Sequence, residues 1–270
     1  MSKNPLGKPT RYPSTYSPDL LFPVPRIDAR QATGIDAELP FSGLDLWNAW
    51  ELTWLNNDGK PMVATAEIRV PAESPRIIES KSLKLYLNSL SMTRYPDKNA
   101  LAAVIRDDLS TTAGGDVRVT IVPVSDWGAQ HLSNLPGTCI DDQPASTTAG
   151  GVDSSLLVTQ SKLVTLEELH SHLLYSNCPV TNQPDSGSIL IRYSGPEIDR
   201  TGLLNYLVSY RQHNDFHEAC IERIFVDIIK QCAPTQLTVH GRYNRRGGLD
   251  INPFRSNFES EVENLRLWRQ

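Results

Sequence analysis

An α+β chain made of two tandem copies of one unit is predicted by three observations. Strand-like alternation followed by helical periodicity occurs in the same order in both halves. Short literal echoes recur at a spacing near 120 residues. A stretch rich in Gly, Pro, Ser, Thr and Asp, from Ser133 to Ser155, reads as a linker or surface excursion between them. At 270 residues the chain can hold two cores. The expected division is 1–150 and 151–270.

Residues 1–40 are Pro-dense and read as an extended arm lying over something else. Leu46–Leu55 and Val63–Val70 follow as two strands, joined at Asn56–Lys60 by a turn with the Asp-Gly hairpin signal. Ser82–Ser89 is a third element, Ala100–Leu109 a helix and Val117–Val122 a closing strand. In the second half Ser188–Tyr193 is a strand, Leu203–Tyr210 an apolar segment, His217–Gln231 a helix and Gln236–His240 a strand. The echoes pair Ile68-Arg69 with Ile191-Arg192, Leu83–Ser89 with Leu203–Ser209, and Val119-Thr120 with Leu237-Thr238. The chemically interesting residues are not duplicated, so one working site per pair of halves is expected.

Composition excludes several classes of function. A formal charge of −5 offers no basic field for nucleic-acid phosphates, so no direct nucleic-acid binding is expected. No apolar run approaches the roughly 20 residues of a membrane span. The four cysteines, Cys139, Cys178, Cys220 and Cys232, form no Cys-x-x-Cys pair, and no secretory signal opens the chain. Reduced thiols in a cytoplasmic protein are the expectation.

The segment Tyr175–Asp185 places a thiol, Cys178, and a carboxyl, Asp185, on one turn-rich polar loop. Such surroundings make the thiol accessible, and a thiolate is nucleophilic when a neighbour accepts its proton. The competing reading is a small buried hydrophobe. In Glu79-Ser80-Lys81-Ser82-Leu83-Lys84, an extended backbone would alternate Glu79, Lys81 and Leu83 against Ser80, Ser82 and Lys84. That is a lysine-protected strand edge, or a set of donors for phosphate beside an acceptor for N–H groups. Asp215 and Glu218 have capping-box spacing, while Glu218 at a helix start can also accept two N–H bonds from a guanine-like ring. Phe216 can cover a pocket and His217 can bond substrate. Arg245-Arg246-Gly247-Gly248 is either a surface turn or a phosphate contact. His170, His172 and Cys178 raise the question of a metal; two positions apart on a helix, the histidines would point about 200° apart, so no metal site is expected.

The Glu79–Tyr86 run, the Ser176–Asp185 loop, Phe216-His217-Glu218 and Arg245–Pro253 together resemble the NADPH-dependent 7-cyano-7-deazaguanine reductases, nitrile reductases of queuosine biosynthesis, in their long bimodular form. The resemblance implies tandem tunnelling folds, antiparallel sheets backed by helices, in a homodimer. It implies Cys178 as the nucleophile that captures the nitrile as a thioimide, with Asp185 as proton donor. It implies Glu79, Ser80, Lys81, His217 and Glu218 as contacts to the deazapurine, and Lys81, Ser82, Arg246 and Gly247 as contacts to NADPH. Three rivals stand beside it: a zinc-dependent pterin-type cyclohydrolase on the same fold, a cysteine amidohydrolase using Cys178 and His217, and a non-catalytic purine-binding protein.

Overall fold

The structure, a computed structural model, describes residues 12–35, 38–129, 132–146 and 150–270. Residues 1–11 and 36–37 of the expected arm and 147–149 of the expected linker lie outside the described residues. The elements run β1 (Pro23–Pro25), α1 (Ile27–Thr33), β2 (Ser42–Leu55), β3 (Pro61–Pro71), β4 (Arg76–Ile78), α2 (Ser80–Ser89), α3 (Lys98–Ala113), β5 (Arg118–Pro123), β6 (Thr138–Cys139), β7 (Thr159–Asn177), β8 (Pro184–Ile198), α4 (Arg200–Val208), α5 (His217–Cys232), β9 (Gln236–Tyr243) and β10 (Leu249–Ser256). Two compact units result. One takes Met1–Asp28, Leu44–His131 and Arg245–Ile251; the other takes Ala29–Gly43, Leu132–Asn244 and Asn252–Gln270. No helix of the described residues is long and apolar enough to cross a membrane.

In the first unit β2, β3 and β5 form antiparallel pairs with β3 central. The β2–β3 turn closes as expected, with Asn56 N donating to Lys60 O at 2.9 Å and the Asn56 side chain accepting from Asp58 N and Lys60 N. Trp47, Ala49, Ala66 and Ile68 of the strands pack with Leu83, Tyr86 and Leu87 of α2 and Leu101, Ile105 and Leu109 of α3. Part of the Pro-dense arm lies over this unit as β1, paired antiparallel with β4.

The Ser82–Ser89 element is a helix, which overturns the extended alternation across Glu79–Lys84. The Glu79 carboxylate accepts from Lys81 N and Ser82 N, both at 2.8 Å, and so caps α2. Leu83, Tyr86, Leu87 and Leu90 then recur at helical spacing and are all buried.

The second unit pairs its strands in the order β6-β7-β8-β9-β10, parallel between β6 and β7 and antiparallel elsewhere. Ile189, Ile191 and Tyr193 alternate inward from β8, with α4 packed on β7 and α5 on β9. The expected linker is partly structured: Leu135 and Ile140 are buried, and Thr138–Cys139 forms β6. Three strands of this unit, β6, β7 and β10, were absent from the sequence reading.

Hairpin, helix, helix, strand thus occurs twice, and the echoes fall on matching elements. Ile68-Arg69 lies on β3 and Ile191-Arg192 on β8; Val119-Thr120 lies on β5 and Leu237-Thr238 on β9. The match extends to buried polar bonds. Tyr86 donates to Asp108 at 2.6 Å in one unit and Tyr206 to Asp227 at 2.8 Å in the other. Ser89 donates to Tyr86 O and Ser209 to Tyr206 O, both at 2.6 Å. Burial, reinforced by these carboxylates, pushes both tyrosine pKa values far up, so each hydroxyl keeps its proton and ties helix to helix.

Within the second unit Glu222 is buried between two arginines, accepting from Arg30 at 2.8 and 2.9 Å and from Arg255 at 2.8 and 3.1 Å. Both guanidiniums also lie over the Phe41 ring. Removing the shared anion strands two buried cations, so Glu222→Ala should cost about 3–5 kcal/mol of stability in urea unfolding. Replacing all three charged residues with apolar ones of similar volume should cost much less.

Candidate active site

The site of the second unit is set by strand register. Ser176 stands opposite Asp185 and Asn177 opposite Pro184, so the β7–β8 loop is Cys178–Gln183 and Asp185 is the second residue of β8. Directly opposed residues share a face, and both Ser176 and Asp185 are buried. The loop is closed by Cys178 N donating to Gln183 O at 2.9 Å and Asn182 N to Cys178 O at 3.0 Å, with Asn182 left-handed at φ 53°.

The chain leading into α5 is laced to this loop. Asn177 N donates to His213 O at 2.8 Å, and Asp215 N to Asn177 O at 3.1 Å. The Asn214 side chain donates to Asn182 Oδ1 at 2.8 Å and to Cys178 O at 3.3 Å. Held this way, α5 begins with His217 Nε2 at 3.2 Å from Asp185 Oδ2. The His217 ring stacks on Tyr243, centroids 3.9 Å apart and planes 12° from parallel. The other ring nitrogen, Nδ1, is buried with no hydrogen-bond partner among the described residues. Such a nitrogen is costly to leave unpaired and is a natural partner for a bound molecule.

The expected capping box at the start of α5 does not form. Phe216 is the N-cap and has no side-chain cap, because Asp215 turns its carboxylate to Phe216 N at 2.8 Å. Glu218 is buried in the first turn, where the helix dipole favours an anion.

Four thiols occupy four environments. Cys178 is half-buried at the loop's start and Cys139 is exposed, whereas Cys220 and Cys232 are buried. Burial, with Asp215, Asp185 and Glu218 adding, pushes the Cys220 thiol far up and keeps it protonated. Cys178 is therefore the thiol near the start of α5 that keeps contact with solvent.

In the first unit Lys81 and Lys84, one turn apart on α2, line a cavity of about 270 Å³ with Glu51, Gly247 and Gly248. Gly247 and Gly248 have φ of 59° and 82°, left-handed values that favour glycine in the turn after β9. Arg246 N and Leu249 N bond across that turn, and the Arg245 guanidinium lies over Trp50. Two ammonium groups beside glycine backbone suit a phosphate. Lys81 and Gly247 meet here as the sequence expectation has it. The Ser82 hydroxyl instead donates to Glu79 O at 2.6 Å and accepts from Phe22 N at 3.0 Å, and it is buried. Ser80 begins α2 and is partly exposed. Glu79–Ser82, Arg246 and Gly247 belong to the first unit, and Cys178, Asp185, His217 and Glu218 to the second.

Sequence reasoning missed Tyr243, Asn214, Asn182 and Ser176. Each acts through a partner distant in sequence, so local spacing carries no signal for it. It also misjudged His170 and His172, which lie on a strand and not on a helix; their rings meet at 5.3 Å.

A half-buried thiol on the β7–β8 loop and a histidine–aspartate contact at the start of α5, in a chain that repeats one α+β unit, mark a bimodular enzyme. The chain belongs to the NADPH-dependent 7-cyano-7-deazaguanine reductase family. Residues 12–121 match the family described as nitrile reductase, 7-cyano-7-deazaguanine-reductase N-term, and residues 184–262 match that described as QueF-like protein. A Chromobacterium violaceum protein named NADPH-dependent 7-cyano-7-deazaguanine reductase is 50% identical over 269 residues, covering 99% of this chain and 96% of its own length. Proteins of the same name from Azoarcus sp. and Burkholderia vietnamiensis are 52% and 49% identical, covering 94% and 99% of this chain and 90% and 98% of their own lengths.

The environments of the cysteines predict that a thiol-alkylating reagent modifies Cys139 and Cys178 in the folded protein and all four cysteines in denaturant. Peptide mass mapping reads the sites, and native labelling of Cys220 would contradict the geometry.

Proposed function

We propose that this chain reduces the nitrile of 7-cyano-7-deazaguanine to the primary amine 7-aminomethyl-7-deazaguanine, with Cys178 as nucleophile. Membership in the reductase family supports the reaction. The observation that carries the residue assignment is the half-exposed Cys178 on the loop bonded to the chain leading into α5, where His217 meets Asp185 at 3.2 Å.

A nitrile carbon is a poor hydride acceptor. Addition of the Cys178 sulfur to it, with a proton passing from Asp185 to nitrogen, gives a thioimide whose C=N bond is more electrophilic. NADPH, when bound, supplies a hydride for each of two successive two-electron reductions. After the first, the carbon–sulfur bond breaks, Cys178 leaves as thiolate and an imine remains. The second reduction and a further proton give the amine. Water would hydrolyse the imine, so the role read for Phe216 is to keep water from the site.

In this reading Glu79, Ser80, Lys81, His217 and Glu218 contact the deazapurine. Lys81, Arg246 and Gly247 contact NADPH, and the direct contact expected of Ser82 is replaced by an indirect role. The two-lysine cavity with its glycine pair fits a phosphate of that cofactor. The Ser82 hydroxyl is engaged within α2, so its contribution is to fix the cap that positions Lys81. The halves 1–150 and 151–270 are read as two tunnelling folds, supported by the repeated order of elements, in a cytoplasmic homodimer that does not bind nucleic acid directly.

Mixing the protein with 7-cyano-7-deazaguanine and following NADPH absorbance tests the reaction. Two NADPH should disappear per amine formed, and no consumption by folded protein would overturn the reading. Without NADPH, intact-mass spectrometry should show wild type gaining one substrate mass and Cys178→Ala gaining none. Asp185→Asn should lower turnover by about 10²–10⁴-fold while leaving base binding measurable, as expected for a general acid.

A further inference from the structure

Outside the reaction site, the second unit gathers one thiol and two imidazoles at the β6–β7 edge. β6 pairs parallel to β7 with Cys139 opposite His170, and Ile140 N donates to His170 O at 2.9 Å. Strand alternation carries His172 to the face that His170 occupies. The Cys139 sulfur and one ring nitrogen from each histidine all lie within 4.8 Å of one another. His172, the nearer histidine in sequence, is six residues up the strand from Cys178, roughly 20 Å at strand rise.

The surroundings orient both rings. His170 Nδ1 lies 2.9 Å from Pro136 O. A carbonyl only accepts, so Nδ1 carries the proton and Nε2 presents its lone pair. His172 Nδ1 lies 2.8 Å from Ser188 Oγ, and that hydroxyl also accepts from Arg269 at 3.1 Å. The Ser188 hydroxyl has a second lone pair for the ring N–H, and in that tautomer His172 likewise presents Nε2. Asp141 accepts from His172 N and from Ser171 Oγ, fixing the strand between the two rings. Gly137, at φ 80°, lets the chain before Cys139 approach β7 so closely that a Cβ there would lie 2.2 Å from Glu168 O. Imidazoles that spend one nitrogen on a carbonyl or hydroxyl are the usual partners of metal ions.

We propose that Cys139, His170 and His172 form a zinc site whose fourth position is taken by water. A thiolate with two neutral imidazoles suits zinc and disfavours magnesium and calcium, which take oxygen ligands. Zinc–sulfur and zinc–nitrogen bonds of about 2.3 and 2.0–2.1 Å place tetrahedral ligand atoms about 3.5 Å apart. The present spacing, within 4.8 Å, closes to that distance by side-chain rotation. The ion fastens the two-residue β6 to the long β7 and takes no part in nitrile reduction, so the proposal stands independently of the reductase reading.

The full chain, stripped with chelator, is titrated with zinc and separately with cobalt(II). The proposal expects about one zinc per chain, a thiolate-to-cobalt charge-transfer band, and protection of Cys139 from alkylation by zinc. Cys139→Ser should fold normally, lose the band and keep wild-type NADPH consumption. Cys178→Ala should keep the band. Ser188→Ala should weaken zinc affinity by about 10–100-fold, the usual effect of removing a ligand's orienting partner. Absence of binding, a band that survives in Cys139→Ser, or a band lost in Cys178→Ala would each overturn the proposal.

Discussion

The pairing register of β7 with β8 is the constraint on which the second unit's chemistry depends. Side chains alternate with a period of two, so a slip of one residue would turn Asp185 away from His217 and move the loop off Cys178. Register in a long hairpin is vulnerable, and this one carries irregularities at three places along β7. It is secured from outside the hairpin, where Asn177 bonds His213 and Asp215 through the backbone and the Asn214 side chain bonds the loop ahead of α5. The same strand positions His170 and His172, so one register serves two clusters of reactive side chains.

The two units share a skeleton and differ where chemistry is placed. Asp97 caps α3 by accepting from Asn99 N and Ala100 N, whereas its counterpart ahead of α5, Phe216, offers no side-chain acceptor. A capped helix start is satisfied internally; one without a side-chain cap retains N–H donors for other acceptors. On the preceding helices the asymmetry runs the other way. Lys81 and Lys84 of α2 correspond, at the 120-residue spacing, to Thr201 and the buried Leu204 of α4. The cationic cavity therefore has one copy, and so does the thiol loop. The Tyr–Asp bonds between helices were kept in both units because a buried hydroxyl without its acceptor costs more than the bond itself contributes.

What was legible in the sequence follows from locality. The Asp-Gly turn, α3 and α5 are signalled by neighbours within a few residues, and each was read from the chain. β7 was not, because Glu167, Glu168 and its bulges break the alternation, and Leu166 has a left-handed φ of 48°. β10 was hidden by Asn252 and Pro253, which lower strand propensity although the strand is buried throughout. Glu79–Lys84 was misread as extended because the capping carboxylate looked like one more member of an alternating polar run. Cys178 and Asp185 were found through their shared loop. Tyr243 could not be found that way, since it enters the site from the end of β9.

The burial of Cys220 sharpens the role of Cys178. A second thiol close to the same carboxylates would compete for an electrophile if it could ionise. Its surroundings prevent that, because burial disfavours the thiolate and nearby Asp215, Asp185 and Glu218 disfavour it further. Cys178 instead keeps contact with solvent at the loop. Asp185 is buried opposite Ser176, with its carboxylate 3.2 Å from His217 Nε2. The contrast between the two thiols and the placement of Asp185 are thus consequences of one packing arrangement around the start of α5.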